Sequence, residues 1–358
     1  MNKSVYIQYL SLVTPLGTTV EQHLEAFRNG SSGIRIAEKS GFQDSSLPLA
    51  KRTEITSNRY DSLLREGLEN IQMTLPGNTA GKIAVIVSST KGNLDLLPED
   101  AFSSTRTIIR QFFPEAPVFI ISNACISGVI AINTAADYLL ADTYDQVLVT
   151  GIDAISEFVS YGFQSLFALS SEACKPFDKS RNGTTLGEGC GIVLVSKEKM
   201  LNHAVLYKGG SSSNDANHIS GPSRTGEGLV RSIERTFKRS GLSASDIDFI
   251  SAHGTATVFN DEMESIAFGR TQLDRAPLNS MKGYFGHTLG AAGILETIMS
   301  IVSMEQNLLF PNLGFSETGI SVPLNIIQHL ESREVKTVLK TASGFGGGNA
   351  SLILQKEG

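Results

Sequence analysis

One cysteine stands where a thiol could act as a nucleophile. Cys125 follows an apolar run of strand length, Val118 to Ile121, and precedes a helix-like stretch that ends near Leu140. A buried strand is therefore predicted to turn into a buried helix at Cys125, and the free N–H groups and dipole of a helix N-terminus favour a thiolate. The alternative is a small apolar cysteine that fills a gap in the core, which is the commoner role of a single cysteine. Three further motifs favour the nucleophile.

Two histidines could provide hydrogen bonds to a reacting group. His253 comes at the end of an apolar strand, within the sequence SAHGTAT, where imidazole could donate to a substrate oxygen. His287 ends the sequence KGYFGH, which begins at Lys282 and leads into a helix rich in small residues. A single histidine at a strand end is more often a hydrogen-bonded structural residue. Neither histidine would indicate chemistry by itself.

The apolar helix after His287 carries a charge that needs a partner. Glu296 is the one charged residue in the body of that helix. Because a buried and unpaired carboxylate is costly, Lys282 is its natural partner. A lysine and a glutamate of this kind more often form a surface pair.

A glycine-rich turn near the C-terminus could present backbone donors. The sequence GFGGGN at 344–349 allows backbone N–H groups to approach a ligand closely, although a glycine run is usually only a turn. Taken together, the four motifs supply a thiol, two imidazoles and a loop of backbone donors, all at the ends of strands.

The elements that must position these residues alternate between strands and helices. This alternation predicts an α/β protein with mostly parallel sheets, and the apolar helices after Cys125 and Leu289 predict burial on most sides, as in a multilayer fold. A capping box at residues 18–21 predicts the start of the first helix. Residues 31–57 are predicted as a loop, and the segment before Gly191 as irregular. The strands at 192–196 and 205–208 could pair as a hairpin.

Composition excludes several classes of protein. The chain has 358 residues with 41% hydrophobic and 18% charged, typical of a well-cored protein. A net charge of −6 argues against nucleic-acid binding. No run reaches the length of a membrane-spanning helix, and the first 17 residues are too polar for a signal peptide. Cys125, Cys174 and Cys190 form no metal-binding pattern and no disulfide framework, so we expect the cytoplasm.

The motifs together resemble the β-ketoacyl-acyl-carrier-protein synthases, the condensing enzymes of fatty-acid and polyketide synthesis. The resemblance is to the elongating kind and covers nearly the whole chain, from the sequence TPLG at 14–17 to GFGG at 344–347. It includes KPFD at 175–178 and GEG at 187–189 between the cysteine and the first histidine.

The resemblance implies the α/β thiolase fold, in which two similar halves stack as α-β-α-β-α layers. Residues 1–200 would form the half that carries the nucleophile, and residues 201–358 the half that carries both histidines and the lysine. It implies no metal and no redox cofactor, since the substrates are carried on the phosphopantetheine of acyl-carrier protein. The implied partners are that carrier protein and either a second copy of the chain or a synthase-like subunit.

The resemblance also implies a role for each reacting residue. Cys125 would hold the acyl chain as a thioester. His253 and His287 would hydrogen-bond the thioester carbonyl of the malonyl extender and stabilise the enolate left by decarboxylation. Lys282, paired with Glu296, would hold the histidines in position and set their charge state.

The remaining candidates would bind and guide the substrate. Thr255 and Thr257 resemble the hydroxyl residues that bond the pantetheine arm. Backbone N–H groups of Cys125 and Phe345 would form the oxyanion hole, and Phe345 with Gly346 resembles the gate between the two half-reactions.

Three alternatives within the superfamily differ in their motifs. A chain-length factor, the non-catalytic partner subunit of a synthase heterodimer, generally lacks the nucleophile or a histidine, and here both are present. Synthases that start chains from acyl-CoA typically carry a His and an Asn, and biosynthetic thiolases carry a second cysteine near the C-terminus.

The chain departs from the family pattern in length. The segment between the strand at 82–87 and Cys125 is shorter than in the usual elongating synthase. Compact synthases of this kind occur in pathways for aryl polyene and flexirubin-like pigments, and we state as a hypothesis that this chain belongs to such a pathway.

Candidates for a basic docking patch for the acidic carrier protein are the following: Lys51, Arg52, Arg106 and Arg110.

Overall fold

The computed structural model describes residues 3–76, 81–215 and 221–357. The helices in these ranges are α1 Val20–Arg28, α2 Arg59–Thr74, α3 Ser103–Phe112, α4 Ser127–Leu140, α5 Glu157–Ser165, α6 Glu227–Ser240, α7 Val258–Arg270, α8 Lys282–Phe285 and α9 Ala292–Gln306. The strands are β1 Tyr6–Val13, β2 Arg35–Ala37, β3 Leu47–Ala50, β4 Ile83–Ser88, β5 Val118–Ile121, β6 Gln146–Asp153, β7 Leu186–Gly187, β8 Gly189–Ser196, β9 Val205–Asn214, β10 Phe249–Ser251, β11 Leu278–Asn279, β12 Leu308–Leu309, β13 Glu331–Ser332, β14 Thr337–Gly344 and β15 Gly348–Gln355. None of the described helices is both long enough and apolar enough to cross a membrane.

Ten strands form one large sheet in the order β11-β10-β14-β15-β9-β1-β8-β6-β4-β5. The strands pair in parallel at both outer ends of the sheet and antiparallel through its middle, from β14 to β6. The prediction of mostly parallel sheets is therefore wrong. Strands that are buried on both faces read as continuous apolar runs, and such runs do not reveal the direction of pairing.

The order of strands repeats in the two halves of this sheet. From its outer edge, the first half runs β5-β4-β6-β8-β1 and the second runs β11-β10-β14-β15-β9. When the five strands of each half are numbered by their order along the chain, both halves read 3-2-4-5-1 from the outer edge to the middle of the sheet. The halves join where Tyr6 and Ile7 pair with Leu206 and Val205. The prediction of two similar halves is confirmed, while the boundary at residue 200 stays a prediction.

Three layers of helices enclose the two half-sheets. Helices α2 and α3 pack on the outer face of the first half, in one apolar cluster with β4, β6 and β8. Helices α6 and α7 pack on the outer face of the second half, with β10, β14 and β15. Between the half-sheets lie α4 and α9. The predicted α-β-α-β-α layering is confirmed, and so is the burial of both central helices.

Glycines let the two central helices touch at their backbones. A Cβ atom added to Gly293 would lie 2.6 Å from the backbone nitrogen of Val129, and one added to Gly128 would lie 2.9 Å from that of Ile294. Contacts under 3.0 Å are not tolerated by real Cβ atoms, so both positions need a residue without a side chain. This close approach brings the start of α4, which follows Cys125, next to the start of α9, which follows His287.

Several local predictions are wrong. Residues 31–57 contain β2 and β3, and the segment before Gly191 contains α5 and β7. These elements are short, and β2 is largely exposed, so they lack a clear apolar period. Strand β9 pairs with β1 and β15 rather than with β8. The first helix is capped by Thr19, whose side chain accepts from Gln22 N, rather than by a capping box. Strand β5 is only half-buried, because it is an edge strand.

Candidate active site

Cys125 occupies a tight turn between β5 and α4. Ala124, directly before it, has a φ of 45°, which is unfavourable for a residue with a side chain. Ser127 braces this turn, because its Oγ accepts from the backbone N–H of Asn123 at 2.7 Å and donates to the carbonyl of Ala124 at 2.6 Å. The thiol is therefore held at a fixed place at the start of α4. Sequence reasoning missed Ser127, although serine hydroxyl groups can hydrogen-bond nearby backbone groups in turns.

Both candidate histidines lie beside this thiol. The Nε2 atom of His287 is 3.0 Å from the Sγ atom of Cys125. The rings of His253 and His287 lie edge to face, with their centroids 5.2 Å apart. His253 follows β10 as expected, whereas His287 follows the short helix α8 rather than a strand. It is fixed there by its N–H, which donates to the carbonyl of Thr185, and by its carbonyl, which accepts from Gly187 N.

A buried ion pair lies behind the histidines. The Nζ atom of Lys282 is 2.7 Å from Glu296 Oε1 and 3.3 Å from Nδ1 of His253, and it also donates to the carbonyl of His253. Both charged side chains are almost completely buried, with 0% and 1% of their area exposed. The predicted partner of Glu296 is therefore the partner in the structure.

A second lysine binds the same carboxylate, and sequence reasoning missed it. The Nζ atom of Lys340, on β14, lies 2.6 Å from Glu296 Oε2, and its side chain is fully buried. The signal in the sequence is a lysine between Leu339 and Thr341 in a strand whose pattern is that of a buried one. A buried ammonium needs a carboxylate partner, so this position could have been paired with Glu296 from the sequence.

Burial keeps all three reacting groups neutral. It raises the pKa of the Cys125 thiol to about 11, an effect that the nearby ammonium of Lys282 only partly opposes. This corrects the expectation that the helix N-terminus favours a thiolate, because desolvation outweighs the attraction of nearby positive charge. Burial, reinforced by the charge of Lys282, lowers the pKa of both His253 and His287 well below the usual histidine value.

The surroundings of each imidazole select one tautomer. Nδ1 of His253 faces the ammonium of Lys282, which has only donors to offer, so this nitrogen accepts and the proton resides on Nε2. Nδ1 of His287 is buried and has no hydrogen-bond partner among the described residues, so a proton there would be unsatisfied. We therefore assign the proton to Nε2 in both rings. Each ring can then donate one hydrogen bond towards the thiol side of the site.

The thiol and both imidazoles open into one pocket with a volume of about 620 Å³, its open mouth included. Thr255 and Thr257 line it, and their hydroxyl groups are 2.9 Å apart. Phe345 lines it too, and its ring stacks on that of Phe163 of α5 at a centroid distance of 5.6 Å. Phe163 was not predicted from the sequence, since it lies in a segment predicted as irregular.

The glycine-rich turn joins β14 to β15 and approaches the nucleophile closely. A Cβ atom added to Gly344 would lie 3.1 Å from the backbone nitrogen of Cys125. Gly344, Phe345, Gly347 and Gly348 line the pocket, whereas Gly346 is not among the described residues that do so. Gly346 has a φ of 85°, so its observed contribution is to the shape of the turn.

The thiol and the two imidazoles each have one ligand-type atom within 4.8 Å of the others, a spacing that a metal ion could use. The two ammonium groups behind the histidines disfavour a dication at that place, because all the charges are buried. We interpret the three groups as a nucleophile with two hydrogen-bond donors.

Two of the basic residues predicted to dock a carrier protein are already paired. Arg52 binds Glu54 and Glu66, and Arg106 binds Asp100. Neither lines the pocket among the described residues. Arg110 lies exposed near the end of α3, and Lys51 is partly buried.

Comparison with known proteins identifies the family that these motifs resemble. Residues 104–200 match the model of the beta-ketoacyl synthase N-terminal domain, and residues 203–316 match that of the C-terminal domain. The chain is 35% identical to 3-oxoacyl-[acyl-carrier-protein] synthase 2 of Rhizobium meliloti over 253 aligned residues. The aligned region covers 65% of this chain and 59% of that relative. It is 28% identical to the enzyme of the same name from Coxiella burnetii, over 99% of both chains.

Solved structures share the fold over the full length. The ketosynthase ApeO in complex with its chain length factor ApeC, from Xenorhabdus doucetiae, gives a TM-score of 0.89 at 26% identity and covers 99% of this chain and 98% of its own. A beta-ketoacyl synthase from Burkholderia phymatum gives a TM-score of 0.86 at 23% identity, over 99% of this chain and 100% of its own.

Proposed function

Because the chain belongs to the β-ketoacyl synthase family, we propose that it catalyses a decarboxylative Claisen condensation between an acyl thioester and malonyl-acyl-carrier protein. The product is a β-ketoacyl-carrier protein. The observation that carries this proposal is a connected set of side chains: Cys125, His287 and His253 line one pocket, and the ion pair of Lys282 and Glu296 lies behind the histidines. It supplies a nucleophile and two neutral donors without any further group.

The first half-reaction transfers the acyl chain to Cys125. The sulfur attacks the thioester carbonyl, the bond to the carrier's pantetheine sulfur breaks, and the proton of the thiol leaves with the carrier. The thiol is neutral in the resting site, and Nε2 of His287 lies 3.0 Å from its sulfur. Because that nitrogen carries a proton, His287 assists as a hydrogen-bond donor to the sulfur as the thiol proton leaves, and not as a base. Backbone N–H groups of Cys125 and Phe345 stabilise the oxyanion, and the close approach of the turn at Gly344 to the backbone nitrogen of Cys125 supports this assignment.

The second half-reaction uses both imidazoles as donors. The malonyl thioester carbonyl accepts from Nε2–H of His253 and His287, the carboxylate leaves as CO₂, and the electron pair moves onto this carbonyl as an enolate. The enolate carbon attacks the acyl group on Cys125, and the cysteine sulfur leaves and takes up a proton. Neutral histidines suit this step because they donate one hydrogen bond each and need not lose a positive charge afterwards.

The pocket mouth fits a substrate on a long arm. Thr255 and Thr257 present hydroxyl groups to the pantetheine chain. Phe345, whose ring stacks on that of Phe163, is the gate residue that separates the two half-reactions. No metal or redox cofactor takes part in this scheme.

The partners in this proposal are an acyl-carrier protein and a second synthase-type subunit. Support for the second subunit comes from the ApeO structure, which is a complex of a ketosynthase with a chain length factor. A polyketide or aryl-polyene-type pathway is the finer proposal, and fatty-acid synthesis is the alternative.

A reconstituted condensation tests the proposed function. The purified protein, mixed with carrier protein loaded with an acyl chain and with malonyl-carrier protein, should yield CO₂ and β-ketoacyl-carrier protein in equal amounts. The matched control is His253→Ala, which should still acylate Cys125 but release little CO₂. The chain-length-factor role would instead be supported if product forms only when a second synthase is added and if Cys125→Ala in this chain leaves the amount of product unchanged.

A further inference from the structure

The buried Lys340 is not used in the scheme above, although it contacts the groups that are. Its Nζ atom lies 2.6 Å from Glu296 Oε2, on the opposite carboxylate oxygen from the one bound by Lys282. It also donates to the carbonyl of Thr341 at 2.7 Å and to those of Ser251 and Ala252 at 3.2 and 3.4 Å. The last two residues lead directly into His253.

This arrangement places one carboxylate between two ammonium groups, and all three side chains are buried. Two like charges on one partner repel each other, and each ammonium also loses its hydration. A further acidic side chain that acts on Lys340 is that of Glu264 of α7, whose Oε1 atom accepts from the hydroxyl of Thr341 at 3.4 Å. A methionine in place of Lys340 would fill the same space without a charge to desolvate. The ammonium is therefore costly unless it holds something in place.

What Lys340 holds is the support of His253. Through Glu296 it fixes the carboxylate against which Lys282 rests, and Lys282 in turn contacts Nδ1 and the carbonyl of His253. Through its bonds to the end of β10 it also fixes the backbone from which His253 projects. His287 depends instead on Thr185 and Gly187, which Lys340 does not contact among the described residues.

We propose that Lys340 is a positioning residue of the condensation half-reaction, acting on His253 through Glu296 and through the carbonyls that end β10. This inference rests on the proposed function. It assigns Lys340 to the enolate-forming step and not to the acylation of Cys125, because the acylation pair of Cys125 and His287 is supported from the other side of the site.

The experiment measures both half-reactions on Lys340→Met. Acylation is followed as mass gain on Cys125 in a single turnover, and the second step as CO₂ release from malonyl-carrier protein. We expect acylation within about twofold of wild type and decarboxylation slowed by about 10- to 100-fold, as when a supporting residue lets a reacting group shift by up to about 1 Å. Lys336→Met, just before the same strand and exposed, is the control and should change neither rate.

A double variant tests whether the effect passes through Glu296. If part of the effect does, Lys340→Met should slow decarboxylation by a smaller factor in the Glu296→Gln background than in wild type, since groups acting as a unit are not additive. The slowing that remains measures the route through the β10 carbonyls. Should Lys340→Met not fold, Lys340→Gln keeps a donor for the β10 carbonyls without the charge and is measured in the same way.

Some results would overturn the proposal. Equal slowing of both half-reactions, or no slowing of either, would show that Lys340 contributes to packing alone. Additive effects in the double variant would remove the route through Glu296. A wild-type protein that forms no acyl-enzyme and releases no CO₂ would refute the proposed function itself, and the positioning role would fall with it.

Discussion

Each imidazole in the site is held in one protonation state by what lies behind it. His253 faces the ammonium of Lys282, and His287 has its Nδ1 atom buried without a partner among the described residues. Both rings therefore present an N–H to the pocket, and burial together with nearby positive charge keeps them neutral. In the proposed reaction this neutral pair donates to the enolate oxygen, so the pH dependence of CO₂ release should report its protonation state directly.

The first prediction concerns that pH dependence. Because the pKa of both histidines lies well below the usual value of 6.5, CO₂ release should not fall as the pH is lowered through 6.5. Protonation, and with it the loss of activity, should begin only at lower pH. Lys282→Met removes one cause of the lowered pKa, so its acid limb should move to higher pH. The measurement is kcat for CO₂ release between about pH 5 and about pH 8.

A wild-type acid limb centred at or above the usual histidine value would contradict this account. The same holds if the limb of Lys282→Met stays in place. Carrier-protein unfolding is excluded by measuring acylation of Cys125 in the same buffers.

The second prediction concerns Ser127, which braces the turn at the nucleophile. Ser127→Ala removes the acceptor for Asn123 N–H and the donor to the Ala124 carbonyl. We expect a loss of about 2 kcal/mol in the free energy of unfolding, together with slower acylation of Cys125. Ser165→Ala, at the exposed end of α5, removes a single bond to Gly162 and should change stability by less than about 0.5 kcal/mol. Denaturant unfolding measures both, and equal losses would contradict the bracing role.

For single residues, the sequence predicted which side chains form the site better than it predicted their burial and protonation. Cys125, His253 and His287 meet as their motifs predict, and Glu296 pairs with Lys282. The protonation of the thiol was predicted wrongly, because desolvation depends on the packing of distant segments. Lys340 was missed although its place in an apolar strand signals a buried ammonium, because Glu296 was paired with Lys282 alone on the sequence.

Among the elements, the contact between α4 and α9 decides the geometry of the site. Helix α4 begins two residues after Cys125, and α9 begins five residues after His287, so their backbone approach helps to set the distance between sulfur and imidazole. The approach is possible because Gly128 and Gly293 lie face to face. Any side chain at the crossing would push the two reacting groups apart.

The third prediction tests that crossing. Gly293→Ala places a Cβ atom 2.6 Å from the backbone nitrogen of Val129, where nothing flexible can move aside. We expect a loss of about 1–3 kcal/mol in unfolding free energy and slower acylation. The control is Gly162→Ala, inside α5, where an added Cβ meets nothing within 4 Å and should stabilise by about 0.5–1 kcal/mol. Thermal or denaturant unfolding measures both. A neutral Gly293→Ala would show that the helices are not in backbone contact.

Long apolar elements could be predicted from the sequence, and short ones could not. The bounds of α4 and β5 follow from the apolar pattern around Cys125, whereas α5 and β2 were missed. A short element gains its stability from the neighbours it packs on, and its own residues show little periodicity. The stacking of Phe345 on Phe163 was not predicted for this reason, since Phe163 lies on α5.

For the whole molecule, the balance of charge constrains how an acidic carrier protein can bind. The chain has a net charge of −6, so attraction must come from a local basic patch. Arg52 and Arg106 already bind carboxylates, which leaves Arg110 and Lys51 as the testable members of the predicted patch.

The fourth prediction concerns this docking patch. Arg110→Glu should raise KM for the carrier protein roughly three- to tenfold and leave kcat nearly unchanged, since it weakens encounter and not chemistry. Arg333→Glu, exposed next to β13, is the control and should change neither value. Steady-state kinetics with malonyl-carrier protein measures the effect. An unchanged KM would remove Arg110 from the patch.

The plan of the molecule could be predicted only through the resemblance to a family. Periodicity gave an α/β protein, but the antiparallel middle of the sheet and the repeated strand order became visible only in the structure. The repeat places Cys125 after the third sheet strand of the first half and His253 after the second sheet strand of the other. No local sequence pattern predicts that these two positions meet, because their proximity arises from how the two halves stack.

The most direct test of the central claim is the intact mass of the protein after incubation with acyl-carrier proteins, wild type beside Cys125→Ala. The account predicts a gain of one acyl group on wild type alone. It also predicts that this mass is lost, with a β-ketoacyl product formed, when malonyl-carrier protein is added. No gain with any acyl donor, alone or with a synthase-like partner, or an equal gain on Cys125→Ala, would contradict it.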